Sequence, residues 1–327
     1  MSKRKLILWV SIWIQLATIV SCRKLPNPAP LSSATANSPV IATRVNRELQ
    51  IPAQATKMTP ETDINPPLVY ASDYEQPIPV PGQVNTAGAE DSPFISPDGK
   101  TLYFFFTPDA NVPVQQQVLD GVTGIYMSHY ENGEWARPER VILQDPGKLA
   151  GDGCEFVQGN IMWFCSVREG YTGLHWFTAE YQNGVWQNWK IADFNPEFQV
   201  GEFHISTDGT ELYFASERPG GKGGLDIWVS NLVNDVWQEP DNVTAVNTDH
   251  SEGWPALNPA ADELWFTRDY GIWRSKRVNG EWQEAELIVS PLAGEPSIDS
   301  AGNLYFVHHF YVGDTLIEAD IYVAYKR

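Results

Sequence analysis

Carboxylates recur at matched places along this chain. Ile95, Val157, Ile205, Leu257 and Ile298 serve as reference points. The fifth residue before each is Glu90, Asp152, Val200, Glu252 and Ala293; the fourth is Asp91, Gly153, Gly201, Gly253 and Gly294; the third is Ser92, Cys154, Glu202, Trp254 and Glu295. Every repeat therefore brings at least one acid to one level, with Glu155 and His204 beside them. Two carboxylates about 7 Å apart at an effective dielectric near 20 repel by roughly 2 kcal/mol. A ring of five must hold a cation, recruit arginines, or raise some of its pKa values. Arg168, Arg218 and Arg268 fall just after the corresponding second strands and are candidate partners. Three readings follow. The acids, glycine amides and arginines could fasten neighbouring sheets. They could form a site for Ca²⁺, a peptide amine or a sugar. A pair of them could act as catalytic acid and base.

Other chemistry finds little support. The chain has 327 residues and a formal net charge of −19, which excludes the basic footprint of a nucleic-acid binder. There is no Gly-x-Ser-x-Gly, no His-Glu-x-x-His and no phosphate-cradling glycine loop. Gly220-Gly221-Lys222-Gly223-Gly224 lacks a Ser or Thr after the lysine and reads as a turn between strands. The six histidines are scattered. His308-His309 is the only adjacent pair, and strand alternation sends one side chain each way.

The elements that must position these acids are strands. Aromatics are abundant (13 Trp, 13 Tyr, 14 Phe), and 25 Gly with 24 Pro supply many turns. An Asn-Gly-x-Trp-like unit recurs, with its tryptophan at Trp135, Trp186, Trp237 and Trp282. Its first two residues suit a tight hairpin needing positive φ. A second unit is strand–turn–strand: Ser96-Pro97-Asp98-Gly99 leads into Leu102-Tyr103-Phe104, and Ser206-Thr207-Asp208-Gly209 leads into Leu212-Tyr213-Phe214. Degenerate copies run from Phe156, Ala256 and Ser297. Each period holds four short strands, and four-stranded sheets repeated five times predict an all-β, five-bladed β-propeller. The fifth blade lacks an outer strand. Tyr74-Glu75-Gln76-Pro77 followed by Val84-Asn85-Thr86 and Glu90 parallels Trp237-Gln238-Glu239-Pro240 followed by Val246-Asn247-Thr248 and Glu252. Residues near 68–82 are therefore expected to supply that strand and close the ring.

The third copy, Ile205 to Gly221 and then Gly224-Leu225-Asp226-Ile227-Trp228-Val229-Ser230, resembles the WD40-like PD40 repeat of TolB-like propellers. The resemblance spans roughly residues 70–327 and implies a binding module that captures a protein, a peptide or a glycan. Ala89-Glu90-Asp91-Ser92-Pro93 and Ser251-Glu252-Gly253-Trp254-Pro255 also resemble the innermost strands of five-bladed arabinanase- and xylosidase-type glycosidases. That likeness implies Asp91 as base, Glu252 as acid and Trp254 as a sugar-stacking platform, with about 6.5–9.5 Å between carboxylates for an inverting reaction. The two implications stay open side by side.

The N-terminus reads as an address. Residues 1–21 carry a basic start and an apolar stretch too short to span a bilayer, ending in Ile19-Val20-Ser21-Cys22, which resembles a bacterial lipobox. That implies a lipid anchor on Cys22 and a place in the cell envelope, at the outer membrane or cell surface. The alternative is an ordinary secretory signal. Residues 22–66, rich in Pro, Ala, Ser and Thr, read as a disordered tether, and 67–327 as the propeller. An exported protein permits a disulfide, and Cys154 and Cys165 flank the Gln158-Gly159-Asn160 turn. Bonding them would contribute roughly 3 kcal/mol before strain. The stretches Thr107–Gly124 and His308–Asp320 read as long loops on the acidic face.

Overall fold

The computed structural model describes residues 46–192, 194 and 200–327. The expected signal peptide, Cys22 and the tether up to residue 45 lie outside the described residues. The fold is all-β, built from repeated antiparallel meanders of the β-propeller type. Beyond strands, the described residues hold a short helix, Val114–Gln117, and a 3-10 turn, Arg47–Gln50. No helix among the described residues is long and apolar enough to cross a membrane.

Local chemistry sets the meanders. Asn132-Gly133, Asn183-Gly184, Asn234-Asp235 and Asn279-Gly280 all have positive φ at both residues. These are the two-residue hairpins whose twist matches the flanking strands. Asp98 accepts hydrogen bonds from Ser96 Oγ at 2.6 Å and Lys100 N at 3.1 Å; Asp208 repeats this with Ser206 Oγ at 2.7 Å and Thr210 N at 3.1 Å. The side chain caps the turn, and Gly99 and Gly209 take the left-handed position that follows.

The first strands of the successive meanders are Ala89–Ile95, Ala150–Gln158, Phe203–Ile205, Glu252–Leu257 and Ala293–Ile298. Each pairs with the strand after it, and the meander grows outward from there. These first strands face one another. Phe94 meets Phe156 edge-on at 5.4 Å, Phe156 lies 5.8 Å from Phe203, and Ser92 Oγ donates to Glu295 Oε2 at 2.6 Å. The apolar cores lie between neighbouring meanders, where large aromatics such as Phe164, Phe214, Trp265 and Phe306 are fully buried.

The chain ends meet. Ile78 and Pro79 pair antiparallel with Val323 and Tyr322 in the last meander, and Tyr74 bridges to Lys326. Leu68 and Val69 pair instead with Ser290 and Val289, at the outer edge of the preceding meander. Residues 68–82 thus serve two sheets rather than one. Ala319 makes a single parallel pairing with Ala89, joining the last meander to the first.

Two sequence expectations change. The segment 46–66 was expected to be disordered, yet it lies on the sheets. It has no hydrophobic period; charged anchors hold it. Arg47 pairs with Glu90, Lys57 with both Glu318 and Asp320, and Asp63 with His308 at 2.9 Å. The stretch His308–Asp320 is not a loop. Leu304–Val312 and Thr315–Ala324 form one extended hairpin, with Val312 opposite Thr315. Phe310 is buried opposite Glu318, and after a register shift that skips Ile317 the pairing continues through Tyr311 and Leu316. Asn111, in the other expected loop, donates to Leu316 O at 3.0 Å and ties the two extensions together.

Candidate axial site

In four of the five first strands the antiparallel register slips at the same place: between Asp91 and Phe94, Gly153 and Phe156, Gly253 and Ala256, and Gly294 and Ser297. The bulged residue is left-handed each time: Ser92 (φ 50), Cys154 (φ 54), Trp254 (φ 52) and Glu295 (φ 55). A non-glycine residue in that region is uncommon and costs of order 1–3 kcal/mol. Bulges of this kind re-aim side chains. Here they turn matched residues from successive meanders toward one small cavity of about 70 Å³. Its walls include Ser92, Cys154, Glu155, Glu202, His204, Trp254 and Glu295.

The carboxylates fall into two tiers. The outer tier is clamped by arginine. Glu90 pairs with Arg47 at 3.0 Å and accepts from Thr86 N and Oγ1 at 2.9 and 2.7 Å. Asp152 pairs with Arg168 at 2.7 Å and accepts from Ser166 Oγ at 2.6 Å. Glu252 pairs with Arg268 at 2.6 Å and accepts from Thr248 Oγ1 at 2.6 Å. All three are buried. Each arginine also stacks on aromatics: Arg47 on Phe106 at 4.6 Å, Arg168 on Trp189 at 4.3 Å, Arg268 on Trp273 at 4.4 Å. Arg218 pairs with the exposed Glu239 and lies over Trp228 at 5.0 Å, away from the cavity.

Among the described residues the inner tier has no arginine partner. Burial pushes the Glu155, Glu202 and Glu295 carboxyls well above the usual carboxylate range, and the charge of Asp91 pushes all three the same way. No donor from another residue reaches either carboxyl oxygen of Glu155, although the residue is only 6% exposed. Cys154 Sγ donates to Glu202 Oε1 at 3.7 Å. Burial holds His204 neutral, with its pKa lowered to about 3. Proximity and burial thus disfavour the charged form of the inner acids, while arginines face the carboxylates of the tier behind.

Asp91 and Glu252 are therefore in different settings. Asp91 sits beside the inner tier, and His309 Nε2 is 3.9 Å from its Oδ1. Glu252 does not line the cavity; its side chain is wholly buried against Arg268. Trp254 reaches the wall with its indole nitrogen buried and unpartnered. Cys154 and Cys165 are free thiols. They stay within hydrogen-bonding reach of each other, although Cys165 pairs in register with Gly153 rather than with Cys154.

Sequence reasoning missed two participants, Arg47 and Asp63, and weighed the third, His309, only as part of an adjacent histidine pair that could bind a metal. Arg47 lies outside the repeat. Asp63 lies in the segment read as a tether. His309 lies in the stretch read as a loop, although its pairing with His308 was visible and strand alternation gave its direction: His308 faces Asp63, His309 faces Asp91.

No family model and no curated protein matches the chain. Solved structures do. It is similar to a gluconolactonase from Xanthomonas campestris (10% identity, 80% of this chain and 95% of that one, TM-score 0.44). It is similar to an endo-arabinase from Bacteroides thetaiotaomicron (13%, 76% and 96%, TM-score 0.48). It is similar also to a putative TolB from Agrobacterium tumefaciens (14%, 74% and 92%, TM-score 0.37). Likenesses this remote say nothing of activity.

Proposed function

We propose that the chain is a five-bladed β-propeller, closed by its own N-terminal segment, that is carried in the cell envelope on a lipid at Cys22 and works as a binding module. Its axial cavity receives a compact cation or the cationic group of an envelope protein or peptide. One observation carries this reading: the outer carboxylates each have an arginine, whereas Glu155, Glu202 and Glu295 converge on a void with none. A void of about 70 Å³ suits an ion with its waters or a single amine, and is well below the roughly 300 Å³ at which small-molecule pockets begin. The hydrolase reading finds less support, because Glu252 is committed to Arg268 and Thr248.

The test is calorimetric titration of the purified full chain with methylamine, putrescine and divalent chlorides, beside an assay on aryl glycosides. Saturable binding of at least one cation, weakened in Glu202→Gln, is expected. Turnover of an aryl glycoside by the wild-type chain, or indifference to every cation, would overturn the reading.

A further inference from the structure

We propose that the cation is a first-row divalent metal ion such as Zn²⁺ or Mn²⁺, held beside the axial cavity by Asp91, Glu295 and His309; this rests on the cation-binding reading above. One ligand atom from each of these residues lies within 4.8 Å of the others. Ligands about 2.0–2.2 Å from one ion lie up to about 4.4 Å apart, so the cluster needs only a small side-chain adjustment to close on an ion. The 3.9 Å between His309 Nε2 and Asp91 Oδ1 already falls inside that span.

Three elements bring the ligands together. Asp91 comes from the first innermost strand, immediately before its bulge. Glu295 is itself the bulge residue of the last one, and its carboxyl is oriented by Ser92 Oγ while its backbone N–H donates to Thr267 Oγ1 at 2.8 Å. His309 comes from the extended hairpin. Its ring is buried beside the Leu292 backbone.

An independent observation points at an occupant. Glu155 lines the same cavity with both carboxyl oxygens orphaned, whereas Glu90, Asp152, Glu252 and Glu295 each accept from a threonine or serine hydroxyl. A buried carboxyl without donors is costly unless something positive arrives. Glu155 and Glu202 thus stand as further carboxyl ligands across the cavity. The donor set indicates the metal class. An all-oxygen cage suits calcium or magnesium, whereas an imidazole beside carboxylates suits zinc or manganese.

The experiment uses the full chain stripped with chelator and then dialysed free of it. Titrations with ZnCl₂, MnCl₂ and CaCl₂ are followed by calorimetry and thermal unfolding. Expected are one zinc or manganese ion per chain and a raised melting temperature. Glu295→Gln and His309→Gln should each weaken binding at least about tenfold. Should those variants fail to fold, Co²⁺ added to the wild-type chain gives a second readout: visible absorption from an imidazole–carboxylate site, bleached by zinc. Zinc and manganese affinities unchanged in both variants, or calcium binding that ignores His309→Gln, would overturn the assignment. If methylamine or putrescine binds and no divalent ion does, the cation-binding reading stands and the metal assignment falls. If nothing binds, both fall.

Discussion

Arg47 and Glu90 form an ion pair at 3.0 Å with side chains 5% and 0% exposed. The arginine comes from a segment that belongs to no sheet. It does for the first meander what Arg168 and Arg268 do for the second and fourth from within. Arg47→Ala leaves Glu90 buried without its counter-charge, which costs about 3–5 kcal/mol. Denaturant unfolding should show that loss, and Glu90→Gln in the Arg47→Ala background should recover part of it. A lone Arg47→Ala effect below about 1 kcal/mol would mean that the segment merely rests on the sheets.

Tyr74 is the corresponding anchor against the C-terminal residues, bridging to Lys326. It is 1% exposed, meets Trp265 edge-on at 5.9 Å and donates its hydroxyl to Gly302 O at 3.0 Å. It therefore touches two meanders. Tyr74→Ala should cost about 3–5 kcal/mol, the usual range for a large buried aromatic. Hydrogen exchange should speed up in the strands around Trp265 and Tyr322 together. Exchange confined to residues 68–82 would contradict closure through this segment.

Acid should act on the same junction. Burial disfavours the Asp73 charge, but hydrogen bonds from Lys326 and Arg274, with their charges, outweigh it and hold the carboxyl at about 2 against an ordinary 3.8. A folded-state pKa below the unfolded one stabilises the fold above 3.8, and that contribution fades as pH falls through about 2. The stability gap between wild type and Asp73→Asn should be constant at neutral pH and shrink across that acid window. Thermal melts at stepped pH measure it. A gap that widens on acidification would mean the carboxyl is not held by Lys326 and Arg274.

The two axial-side thiols should be unreactive in the native state. A hydrogen bond with Cys165, then burial, raises the Cys154 pKa; burial raises that of Cys165. Thiolate is the attacking species, so iodoacetamide at neutral pH should leave both unlabelled in folded protein. In denaturant without reductant both should label, which peptide mass analysis can assign. Resistance in denaturant would indicate a disulfide after all.

Much of this was legible in the residues. Asn-Gly and Ser-x-Asp-Gly turns specify local backbone states, so the repeat and its strands could be read directly. The matched acids were legible too, but not their division into two tiers. In a regular strand residues two apart face the same side, so Glu90 and Ser92, or Glu252 and Trp254, should look the same way. The bulge breaks that parity, and nothing in the residue types before it announces a left-handed Ser, Cys, Trp or Glu. Arg47, Lys57 and Asp63 were equally hidden, because a segment held by a few ion pairs has no periodicity to detect.

The meeting of Ala319 with Ala89 is a seam, and Lys57 and Arg47 sit on either side of it, gripping the last and the first meander. Tension drawn through the N-terminus is thus divided between both lips of the joint instead of peeling one away.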